Sequence, residues 1–154
     1  MPLVEGFIWY NPKVLGNAWM KAAGLDEEKL KGANMAVIFG LSFVFSFLLA
    51  FFSQMLVIHQ LHIGAAFFDY QEQIKDVATP EGALYKQVMD LVGSGHRTFG
   101  HGAFHGVLSG LFLVMPILAT NAMFERKGFK YIAINTGYWI ICLAIMGGIV
   151  CGWV

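Results

Sequence analysis

Charged side chains are scarce in this sequence: they make up 13% of its 154 residues, and the ten basic and ten acidic ones cancel. Without net charge the chain has no overall field to recruit nucleic acid, and without a run of like charge it has no polybasic tether. Cysteine is scarcer still. Cys142 and Cys151 stand about half a helical turn out of phase, which reads as two lipid- or core-facing thiols and not as a disulfide or metal pair. No GxSxG elbow, GxxxxGK[ST] phosphate loop, HExxH or CxxC occurs, which removes the standard signatures of hydrolase, nucleotide and redox chemistry. The glycine-rich GSGHRTFGHG follows no strand and lacks the phosphate-loop lysine, so it reads as a flexible hinge. The opening MPLVEGFIWYNPK lacks the basic start and cleavage site of a signal peptide and is expected to be mature sequence.

What is abundant is apolar surface. At 57% hydrophobic residues the chain carries more than a soluble domain of this length can hide, so lipid covers part of it. A bilayer core needs about 20 apolar residues in helical form. Three stretches approach that length: Ala33 to Ile58, His101 to Phe124, and Tyr131 to Val154. The last two are joined by Glu125, Arg126, Lys127 and Gly128, which makes them a helical hairpin. Pro2 to Tyr10 is apolar apart from Glu5 but covers only about half a bilayer, and reads as the tail of a first helix cut short before Asn11-Pro12. From there to Lys31 the chain is amphipathic, with Trp19 and Met20 beside Lys13 and Lys21 as at a headgroup boundary, and Asp26 caps a short helix.

The expectation is an all-α membrane protein: a single integral domain over residues 1–154, built as a four-helix transmembrane bundle with a truncated first helix. The middle loop, about 63–100, is too long for a tight connection and carries a short surface helix. That helix starts at Thr79-Pro80-Glu81, lines up Leu84, Val88, Leu91 and Val92 as one apolar face to rest on the membrane surface or on the helix ends, and stops at Gly93-Ser94-Gly95. Loop 11–32 and the last hairpin link hold seven Lys and Arg against three in the middle loop. That asymmetry places the first two in the cytoplasm, and the middle loop and both chain ends outside.

Small residues mark packing faces. Gly102, Gly106 and Gly110 repeat every four residues, as do Ala144, Gly148 and Gly152, for packing within the chain, across a homo-oligomer or into a larger complex. Ser42, Ser46, Ala50 and Ser53 form a weakly polar stripe. Pro116 frees the carbonyl of Phe112 and implies a kink, while Asn121 and Asn135 are placed to bond to each other.

All five histidines fall in or beside the middle loop. His59 and His62 are spaced i, i+3, and His101 and His105 i, i+4, so each pair can present two imidazoles to one ion. Asp69, Glu72 and Asp90 are nearby oxygen ligands, and a Zn, Fe or Cu site at the outer face is the chemical hypothesis. The competing reading makes these histidines interfacial anchors bonded to water, headgroups or backbone; haem held by one histidine from each helix is a weaker variant of the metal reading. Glu5 is the one carboxylate expected within the bilayer. The leading functional expectation is an accessory or structural membrane subunit; the alternative is a small transporter or metal-binding protein using the histidines, and an enzyme ranks third.

Two blocks, WYNPKVLGNAWMKAAGLDEEKLKGANMA and ATNAMFERKGFKYIAINTGYWIICLAIMGGIVCGW, make the chain resemble the bacterial membrane family catalogued as domain of unknown function 1761. The shared features are Trp9-Tyr10 closing helix one, the G-x-x-WM-x-x-x-GL connection from Gly16 to Leu25, and the INxGYW opening from Ile134 to Trp139. The resemblance covers nearly the whole chain. It implies a four-helix bacterial inner-membrane protein, with a longer first helix in most members, and transfers no activity.

Overall fold

The computed structural model describes residues 2–31 and 34–153. Eight helices organise them: α1 (Pro2–Trp9), α2 (Asn17–Ala23), α3 (Glu27–Lys31), α4 (Met35–Val57), α5 (His59–Ala66), α6 (Pro80–Val92), α7 (Phe99–Phe124) and α8 (Phe129–Gly152). No strand occurs among the described residues. Three helices, α4, α7 and α8, are long and apolar enough to cross a membrane, so this is a membrane protein. The expected fourth span is not among them. The eight residues of α1 rise about 12 Å, against about 30 Å for a hydrocarbon core.

The hairpin α7–α8 is the rigid centre. Its helices run antiparallel at very close approach, because the glycines of α7 carry no Cβ where the backbone of α8 passes. A methyl group on Gly102 would strike the Gly147 carbonyl, one on Gly106 the Leu143 carbonyl, and one on Gly110 would lie 2.7 Å from Ile140 Cγ1. The α7 stripe is therefore the packing face that the sequence indicated. On α8 the nearest approach shifts by one residue: Gly147 meets the backbone of Gly102, while Gly148 and Gly152 make room for Phe99. Cys142 and Cys151 are fully buried free thiols on this helix.

Midway along α7 the ladder loosens into a π-helical turn, Gly110–Val114, directly before Pro116. This turn accommodates the backbone group that the proline ring frees. At the hairpin link, Arg126 adopts a left-handed conformation at φ 56°, and the amides of Arg126 and Lys127 bond back to the carbonyls of Met123 and Ala122. This is the usual helix-ending geometry, built here without glycine.

α4 lies beside this hairpin, parallel to α8, and touches it mainly near Ser53 and Val57. The short α1 packs on the first half of α4 through Phe7 and Phe39, ring centroids 5.6 Å apart. It packs on α8 through Tyr138, whose hydroxyl donates to the Pro2 carbonyl at 2.6 Å. The Trp9 indole donates to the Ile134 carbonyl at 3.1 Å and the Tyr10 hydroxyl to Asn135 Oδ1 at 3.0 Å. Asn135 also donates to Tyr131, so it is satisfied without the expected bond to Asn121. Lys127 donates to the Ala23 carbonyl and ties the end of α2 to the hairpin link. The bundle thus has an aromatic end, near Trp9, Tyr10 and Asn135, and a histidine end, where α4 finishes and α7 begins.

The middle segment forms α6 where the sequence placed it: Thr79 Oγ1 accepts from the Gly82 amide, Pro80 opens the helix, and Gly93 ends it at φ 48°.

Candidate metal centre

The histidine end is made by a break. α4 stops at Val57, Ile58 is extended (φ −106°, ψ 100°), and α5 starts afresh at His59. Two carbonyls near this break lose their helical continuation and find side chains instead: the Val57 carbonyl accepts from the buried Cys151 thiol at 3.2 Å, and the Met55 carbonyl from the His62 ring. The break directs His59 toward the start of α7. There the Thr98 hydroxyl caps the helix by accepting from the His101 amide at 3.2 Å, which sets the rotation of the first turns and turns His101 and His105 to the same side.

Three imidazoles meet as a result. His59 Nε2 lies 2.7 Å from His101 Nε2, which lies 3.1 Å from His105 Nε2, and all three ligand atoms fall within 4.8 Å of one another. Hydrogen bonding alone cannot satisfy this arrangement. A ring nitrogen carries either one proton or one lone pair, so His101 Nε2 cannot donate to one neighbour while accepting from the other. A single cation among the three would turn every lone pair to use. Tetrahedral sites with metal–nitrogen bonds of 2.0–2.1 Å separate their nitrogens by about 3.3 Å, a spacing that falls inside the 2.7 to 4.8 Å range spanned here.

At His59 the neutral, ligating form is also the favoured one. Burial first, then the imidazoles of His101, His105, His96 and His62, hold His59 below its ordinary 6.5. Partial burial of all three residues supports this, with bulk water on only part of the cluster.

Of the four expected ligands, the structure brings together His59, His101 and His105, and sends His62 to the Met55 carbonyl with its ring centroid 6.0 Å from His59. His96, not among the expected ligands, places its ring 5.2 Å from His59 and 5.0 Å from His101. Asp69, Glu72 and Asp90 do not join the cluster; Glu72 and Asp90 instead pair with Lys75 and Lys86.

Arg97, which counts in the sequence only as loop charge, braces the site. Its Nε donates to the Cys151 carbonyl at 2.7 Å and its terminal nitrogen to the Trp153 carbonyl, so a cation closes the negative end of α8. The Cys151 sulfur lies 3.2 Å from the His96 carbonyl as well, so the Val57 and His96 carbonyls share its one thiol proton. The loop carrying His96 and Arg97 is thereby held against the end of α8, and the Gln60 amide fixes its other side through the Gly93 carbonyl at 2.5 Å.

No curated protein and no solved structure matches the chain. One family model does, over residues 1–151, described as "Protein of unknown function (DUF1761)". The chain therefore belongs to the DUF1761 family.

Proposed function

We propose that this membrane protein binds one first-row transition-metal ion, of the zinc, iron or copper class, through His59, His101 and His105. The convergence of three Nε2 atoms from two separate helices carries the reading. Imidazole suits these metals, and three histidines leave an open coordination position for water or a transported or exchanged ligand. The protein is then a metal-handling component of a bacterial inner membrane, with the histidine end on the outer side; the seven-to-three distribution of basic residues supports this orientation. The test is titration of tag-free protein in mild detergent with Co(II), read by visible absorption. Wild type and His62→Ala should bind one equivalent and His101→Ala none. Absence of binding by wild type, or equal binding by His101→Ala, overturns the proposal.

A second reading, an accessory subunit packing with itself or a larger membrane complex, rests on α4. The glycine faces that first suggested it are spent inside the chain, between α7 and α8. In α4, by contrast, Phe43, Phe47 and Phe51 project outward, 66–67% exposed. Cross-linking through α4 in native membranes, with a shift in mass on detergent extraction, distinguishes association from simple lipid contact.

A further inference from the structure

At the aromatic end, opposite the histidines, a cleft of about 750 Å³ opens between α1, α2, α4 and the Tyr138-Trp139 turn of α8. We propose that it binds one anionic phospholipid, with an acyl chain along α4 and the glycerol ester region at Trp19.

The length of the cleft fits a lipid of one leaflet. Its α4 wall runs from Met35 to Ser46, about 16 Å at helical rise, against about 15 Å for half of a hydrocarbon core. That wall is largely apolar: of its two serines, Ser46 spends its hydroxyl proton on the Ser42 backbone carbonyl at 2.6 Å.

The headgroup end differs. Trp19 lines the cleft there, and its Nε1 is sealed from solvent without an acceptor among the described residues. Its ring is held in place, edge-on to Tyr10 at 5.2 Å, and Tyr10 packs on Tyr138 at 5.1 Å. A fixed, buried donor without a partner costs free energy until an acceptor reaches it. An ester carbonyl at the base of a headgroup is an acceptor at that depth.

Charge selects the headgroup. Lys13 and Lys21 stand exposed on the segment that carries Trp19, and neither forms an ion pair among the described residues. They place positive charge at the headgroup end of the cleft, and basic residues at a membrane surface favour anionic lipids.

The experiment reconstitutes the full chain in vesicles of equal phosphatidylglycerol and phosphatidylcholine, extracts it in mild detergent and counts retained lipids by mass spectrometry. Wild type should keep about one phosphatidylglycerol per chain in preference to phosphatidylcholine. Trp19→Phe, which keeps the ring and removes the donor, should reduce retention about fivefold; Ser42→Phe, which fills the cleft, should abolish it. Burial of Cys142 and Cys151 to a thiol-reactive dye verifies that each variant is folded. Equal retention of both lipids, retention unchanged in the folded variants, or a neutral isoprenoid in place of the phospholipid overturns the proposal.

Discussion

The α7–α8 hairpin and α4 are membrane helices of similar length with opposite relations to the rest of the chain. In the most apolar eighteen residues of α8, 44% are buried inside the protein; in those of α4, none are. The hairpin is held by backbone contact at glycine, which tolerates no added atom. α4 is held chiefly at its ends, by α1 at one and by the Val57, Ile58 and Cys151 cluster at the other. Stability therefore lies in the hairpin. The proposed metal site lies where the loosely held helix meets the tightly held one: His59 comes from the α4 side, His101 and His105 from the hairpin. An ion there would staple the two together.

The largest expected effect is on the seam. Gly106→Leu places a side chain into the Leu143 backbone and should exceed the roughly 1–3 kcal/mol typical of overpacked cores, leaving little folded protein. Phe47→Leu on the outer face of α4 should change stability by no more than about 0.5 kcal/mol. Thermal unfolding read by dye attack on the two buried cysteines measures both, and similar losses in the two variants would break the comparison.

Next is metal. At a free concentration one hundred times Kd, a bound ion should stabilise wild type by about 2.7 kcal/mol, and His101→Ala should show no shift. Arg97→Ala should follow, costing about 1–2 kcal/mol by uncapping the end of α8; the same dye assay reads it, and an unchanged transition would remove Arg97 from its bracing role.

These expectations show where the sequence was informative. Spacing alone identified the α7 glycine stripe and the cap, first proline and terminal glycine of α6, because each depends on neighbours within a few residues. It also gave two histidine pairs, but it could not show that Ile58 interrupts the helix between Val57 and His59. With the interruption, His59 turns to α7 while His62 is drawn to the free Met55 carbonyl. Likewise Gly147 lay one residue off the Ala144-Gly148-Gly152 stripe, and its contact with Gly102 depends on how two helices rotate against each other. Trp19 signalled a headgroup boundary; only the structure shows that it lines a cleft, packs on Tyr10 and keeps a buried donor without an acceptor among the described residues.

pH sharpens the account further. Since His59 is held below 6.5, it stays neutral, and able to ligate, as pH falls to that value, and its protonation should weaken metal binding at lower pH. In the metal-free protein, stability should be constant above pH 6.5 and fall below it, because the unfolded chain then takes up a proton that folded His59 refuses. Metal binding that stays equally tight below pH 6.5 would contradict this. A gain is expected at the hairpin link, where Arg126→Gly relieves a left-handed backbone and should raise stability by about 1 kcal/mol, read from the shift in the thermal transition.

The most direct test of the central claim is elemental analysis of tag-free wild-type protein, extracted in mild detergent from cells grown with zinc, iron, copper, nickel and manganese, beside His101→Ala. Close to one transition-metal ion per chain in wild type, and none in the variant, is the expected result. Wild-type protein that emerges without metal, or a variant that keeps it, contradicts the three-histidine centre.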